Sequence, residues 1–194
     1  MNYSIYVEST PNPKVMKFVA NRMLADKNIE INTLEEAKGI SIAEELMKFP
    51  FVKSIYLSSN FISITKTETI EWENIAMQLR VFIADHLNSN AIKNYTENLS
   101  SEETVVDNSE NKKLRKFNDS EKEIDAILNE YIAPAVESDG GAITLNYYRD
   151  NIVCVDLKGA CSGCPSSSST LKGGIETLLK QKVNPNIEVV ANET

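Results

Sequence analysis

The apolar residues change period several times along the chain, and each change marks an element. Ser4 to Glu8 and Val15 to Val19 are short β-compatible runs. Between them Thr10-Pro11-Asn12-Pro13 favours a turn or irregular loop, because both prolines fix φ and the Asn tolerates tight backbone. Ser41-Ile42-Ala43-Glu44 has the spacing of a capping box and opens a short helix that Pro50 ends. Val52 to Leu57 and Phe61 to Lys66 read as a hairpin about Ser58-Ser59-Asn60. On its second strand Phe61, Ser63 and Thr65 face one way, Ile62 and Ile64 the other. A helix beginning near Ile70 places Ile75, Leu79, Phe82, Ile83 and Leu87 on one stripe.

The period then lapses. Residues 99–119 hold few large apolar side chains and blocks of charge, too little burial to offset the entropy of ordering. They are expected to form a flexible linker. Beyond it Ser120-Glu121-Lys122-Glu123 suggests a second capping box. Ile124, Ile127, Leu128, Tyr131, Ile132, Ala135 and Val136 follow helical spacing, and Pro134 should kink the last turn. Ser138-Asp139-Gly140-Gly141 stops this helix. Ala142 to Tyr148 and Ile152 to Lys158 form a hairpin about Arg149-Asp150-Asn151. A helix from near Pro165 buries Leu171, Ile175, Leu178, Leu179 and Val183, and Ile187 to Ala191 is a closing strand. The expected fold is α+β: two small α+β domains, residues 1–98 and 120–194, joined by the flexible linker.

Composition narrows the function. Of 194 residues, 42% are hydrophobic and 25% charged, which is ordinary for a globular protein. The net charge of −8 and the absence of a basic face argue against nucleic acid; the one basic cluster, Lys112 to Lys116, falls in the linker. No apolar run is long enough for a membrane span. The first residues, Met1 to Ile5, show neither a secretory nor a transit pattern, so a cytoplasmic location is expected.

Chemistry concentrates in the three cysteines, at 154, 161 and 164. An odd, sparse set does not make a secreted disulfide framework, and a close pair in a reducing compartment is metal-binding or redox-active. Gly159-Ala160-Cys161-Ser162-Gly163-Cys164-Pro165 lies where a strand meets a helix. Gly159 and Gly163 allow close backbone approach, Pro165 suits a first helical turn, and the helix amino terminus favours thiolate. One chain supplies two such ligands, whereas a tetrahedral zinc site or a cubane cluster wants four. A symmetric dimer would bring Cys161 and Cys164 together twice. Cys154, mid-strand, reads as a small buried apolar residue, and Trp72 and the other aromatics of the first half as core. His86, near a helix end, reads as a surface residue favourable to the dipole.

Three readings of the pair compete with cluster binding: incidental thiols or a disulfide, zinc held by the same ligands, and thiol–disulfide exchange, since Cys-x-x-Cys before a helix is also the thioredoxin arrangement. A hairpin rather than a longer βαβ unit precedes the pair, which disfavours the last.

Glu130 to Gly141, Gly159 to Pro165 and Leu171 to Glu176 together resemble the carboxyl-terminal domain of the NifU or Nfu family. Thr10 to Pro13, Lys17-Phe18, Ser41 to Glu45, Val52, Phe61 to Lys66 and Trp72 resemble the Nfu amino-terminal domain. The resemblance implies a non-enzymatic carrier that binds a [4Fe-4S] cluster between two subunits through Cys161 and Cys164. As purified, such a site can hold zinc or nothing. It further implies an upstream assembly scaffold as donor and apo iron–sulfur proteins as recipients. The alternative class is a thiol–disulfide oxidoreductase using the same sulfurs. For the first half, recognition of partners and stabilisation of the dimer remain open.

Overall fold

The computed structural model describes residues 2–89, 117–163 and 167–193. They form two α+β domains. In the first, β1 (Ile5–Ser9), β2 (Val15–Ala20), β3 (Ile29–Ile31), β4 (Val52–Ser58) and β5 (Phe61–Lys66) make an antiparallel sheet ordered β1-β2-β5-β4-β3. The helices α1 (Ser41–Met47) and α2 (Trp72–Asn88) cover one face. Phe18, Ile55, Leu57, Ile62 and Ile64 point from the sheet into that core, where they meet Leu46, Trp72, Ile75, Leu79, Ile83 and Leu87. The alternation expected in β5 is present: Ile62 and Ile64 are in the core, Phe61 and Ser63 are not. The short edge strand β3 has no counterpart in the sequence reading, because three residues are too few to show a period.

The second domain begins with α3 (Asp119–Ile127), passes through a π-helical turn (Leu128–Ile132) and continues as α4 (Ala133–Ser138). Pro134 explains the break. Its nitrogen cannot donate to the preceding turn, and the wider turn absorbs the misfit before the helix restarts. Strands β6 (Gly141–Arg149) and β7 (Ile152–Gly159) form an antiparallel hairpin, and α5 (Ser167–Lys182) crosses back so that β8 (Glu188–Glu193) pairs parallel with β7. The hairpin turns on Asp150 and Asn151, at φ of 50° and 65°, the left-handed pair that suits a two-residue connection. Ile124, Leu128, Val136, Ile143, Val155, Ile175, Leu179 and Val189 fill this core.

Four expectations need correction. The second capping box is Asn118 with Glu121, not Ser120 with Glu123: Asn118 Oδ1 accepts from Glu121 N at 2.8 Å and Glu121 Oε2 from Asn118 N at 3.0 Å. The other oxygen of Glu121 accepts from Tyr148 N on β6, so the tertiary contact selects the register. Phe117, Asn118 and Asp119, expected in the linker, therefore belong to the folded domain. Ser41 does not cap α1, because its hydroxyl lies 3.0 Å from His86 Nε2, while Glu44 accepts from Gly39 N. His86 is accordingly half-buried against Ser41 and Phe82, not a surface residue, and burial lowers its pKa despite the nearby Glu45. The remaining residues of the expected linker, 99–116, and the end of the first domain, 90–98, lie outside the described residues.

Candidate functional site

Strand β7 ends at Gly159, whose φ of +60° turns the chain out of the sheet. A Cβ there would stand 2.7 Å from Gly140 O and 2.9 Å from the Tyr56 ring, so both conformation and space demand glycine. The turn is closed by Ala160 N donating to Gly140 O (3.1 Å) and Ser162 N donating to Gly159 O (3.1 Å). Cys161 follows, 7% exposed, with its side chain among the apolar residues of the second core. Gly163, at φ +62°, turns the chain again before α5. Cys164 and Pro165 lie outside the described residues.

The helix stop at Ser138–Gly141 contributes directly to this corner. A Cβ on Gly141 would meet Lys158 O at 2.7 Å and Cys161 Sγ at 2.8 Å, so the absent side chain leaves the space that the sulfur occupies. Gly140 O accepts from the turn on one side. Thus the Ser-Asp-Gly-Gly stretch is both a helix terminus and a wall of the Cys161 corner. A thiol in a glycine-lined turn ahead of a helix is a soft donor suited to iron or zinc. Among the described residues, no three His, Cys, Asp or Glu side chains converge as a metal site.

Cys154, mid-strand in β7 and opposite Tyr147, is buried as expected of a packing residue. Trp72 is likewise core: its ring meets Phe18 edge-on and its Nε1 donates to Pro13 O at 3.1 Å.

The first domain also reaches the corner, through residues that sequence reasoning did not single out as functional. Asn12 Nδ2 donates to Ala160 O at 3.1 Å and to Ser162 O at 3.4 Å, spanning Cys161 on both sides. Lys17 Nζ donates to Ser138 O at 2.8 Å, a cation at the carboxyl end of α4, where exposed carbonyls and the helix dipole favour positive charge. Ser63 Oγ donates to Gly140 O at 2.7 Å, and Gly159 N donates to Glu30 Oε1 at 3.4 Å. Burial raises the Glu30 pKa, against the lowering effect of that amide. Tyr56 packs beside Phe61 and Ala142, and burial pushes its hydroxyl up to about 12. The available signal was only that Lys17, Tyr56 and Ser63 alternate with core residues, which equally describes a solvated sheet face.

Among the described residues, no helix is long and apolar enough to cross a membrane. The family description "Scaffold protein Nfu/NifU N terminal" matches residues 5–90, and "NifU-like domain" matches residues 124–190. The protein called NFU1 iron-sulfur cluster scaffold homolog, mitochondrial, of Drosophila willistoni is 30% identical over 96% of this chain and 62% of its own length. Its human namesake is 29% identical over 96% of this chain and 70% of its own length. NifU-like protein 4, mitochondrial, of Arabidopsis thaliana is 26% identical over 93% of this chain and 62% of its own length. The chain thus spans a little under two thirds of several of these relatives. With both domains matched in order, and with the Cys161 corner falling inside the second match, the chain belongs to the Nfu/NifU-like family.

Proposed function

We propose that this protein carries an iron–sulfur cluster and delivers it to apo iron–sulfur proteins. In this reading Cys161 and Cys164 of two copies ligate one [4Fe-4S] cluster between them, four thiolates around a cubane. The observation that carries the reading is the seat of Cys161: a thiol in a glycine-walled turn before a helix, in a chain matching both Nfu domains. The relatives' names, iron-sulfur cluster scaffold, support it.

A cluster shared across a small interface is easily released, which suits a carrier. Client thiolates would displace Cys161 and Cys164 one at a time, with no covalent change to a substrate, so the proposed role is not enzymatic. The donor would be an upstream assembly scaffold. The relatives' names place those proteins in mitochondria, and the reading does not depend on the compartment.

The test is anaerobic reconstitution with iron and sulfide, recording the visible spectrum, iron and sulfide per chain, and mass in solution. About four irons per dimer, lost in both Cys161→Ser and Cys164→Ser, is the expected result. A colourless monomer that takes up no iron refutes it, and disulfide reductase activity in that monomer would support the oxidoreductase reading. Tight zinc with no cluster would make the site a zinc bridge.

A further inference from the structure

The register of the first sheet places five residues in one transverse row. Glu8 pairs with Lys17, Lys17 with Ser63, Ser63 with Tyr56, and Tyr56 with Glu30. The row crosses all five strands on the face opposite the helices, where a free sheet would meet water. Yet Lys17 is 8% exposed, Tyr56 2% and Ser63 1%. The second domain covers them. Lys17 binds the end of α4, Ser63 binds the Gly140 carbonyl, the Tyr56 ring lies against Gly159, and Glu30 takes the Gly159 amide. Glu8 completes the row by pairing with Lys17 at 3.4 Å.

We propose that this row, with Asn12, is a docking surface for the Cys161 corner of the same chain, and that the protein alternates between this closed arrangement and an open one. In the closed arrangement Asn12 holds the carbonyls on both sides of Cys161, and the sulfur is turned into the core. A sulfur that bridges two molecules must stand at the surface. Because Asn12 pins the turn on both sides of Cys161, the turn has to leave Asn12 before the sulfur can swing out of its own domain's core and meet a partner. That last step rests on the carrier reading; the docking itself does not.

The chemistry of the interface suits reversible contact. Its bonds are mostly to backbone oxygens and amides, and its apolar part is small: Tyr56, Phe61 and Ala142. Polar interfaces between domains of one chain open readily.

The test uses the full chain, reduced and without iron. Iodoacetamide labelling of Cys161 and Cys154 is followed by peptide mass spectrometry, and the readout is the ratio of their rates. Cys154, mid-strand between β6 and β8, is the reference for unfolding of the domain, and the ratio reads opening at the corner. Asn12→Ala and Ser63→Arg are each expected to raise the ratio at least about tenfold, the order carried by one or two lost hydrogen bonds. Met77→Ser, on the exposed side of α2, should leave it unchanged. An unchanged ratio in both interface variants overturns the proposal. A wild-type ratio that rises on dilution also overturns it, because the surface would then hold a second copy's domain. Failure of the protein to bind iron would sink the carrier reading and leave these ratios as they are.

Discussion

Gly141→Ala tests the packing of the Cys161 corner with a single methyl group. The new Cβ would lie 2.7 Å from Lys158 O, 2.8 Å from Cys161 Sγ and 3.1 Å from Cys161 N, all inside van der Waals contact. Two of the three obstacles are backbone atoms. Gly141 pairs with Gly159 in the β6–β7 ladder and Cys161 N donates to Lys158 O, so neither backbone atom moves without loosening the turn. Forcing a methyl group into a packed site costs about 1–3 kcal/mol. For a domain of this size each kcal/mol lowers Tm by roughly 4–8 °C, so a fall of about 10 °C is expected. The same substitution at Gly173 in α5 meets no atom within 4 Å, and there alanine should stabilise by about 0.5–1 kcal/mol through helix propensity. The assay is thermal unfolding followed by far-ultraviolet circular dichroism together with tryptophan fluorescence. The only tryptophan, Trp72, lies in the first domain, so the transition it does not report belongs to the second. Equal melting of Gly141→Ala and wild type, or equal destabilisation by both substitutions, would refute the argument.

Asn118→Ala should cost about 1 kcal/mol by removing the cap of α3, read as a drop in denaturant midpoint at unchanged slope. Glu121→Ala should cost more, because it strands the amides of both Asn118 and Tyr148 beside a buried position; equal midpoints for the two variants would contradict this. His86 has a folded pKa lowered by burial. As pH falls, the unfolded chain binds this proton first, so the His86 contribution is full above about 6.5 and is lost as pH drops through that value toward the folded pKa. Between pH 7.5 and 5.5 the Trp72-reported Tm should therefore fall further in wild type than in His86→Gln, and parallel curves would show that the buried imidazole does not titrate as reasoned.

The elements were legible wherever burial imposes a period long enough to see. The stripe of Ile75, Leu79, Ile83 and Leu87 and the alternation of Phe61 to Lys66 follow from one-sided burial, and both are present. So are the hairpin turned on Asp150 and Asn151, the Pro134 disruption and the glycines flanking Cys161, because each rests on local backbone chemistry. Helix starts were less legible. Ser41 and Ser120 have the right spacing for capping, but a hydroxyl or carboxylate also bonds to whatever the fold brings near, here His86 for Ser41 and β6 for the competing Glu121.

By itself the sequence determined two α+β domains, a cysteine pair between a strand and a helix, and the resemblance that led to the Nfu/NifU-like family. Tertiary structure alone decided what surrounds Cys161. Gly141 is near it because a helix stop and a strand end meet, and Asn12, Lys17, Ser63, Tyr56 and Glu30 are near it because register and docking bring them there. Those residues stand about 100 positions or more before the cysteine in most cases, and no local periodicity encodes a contact at that separation. A polar residue on an outward strand face has the same pattern whether it meets water or another domain, so only the fold distinguishes the two.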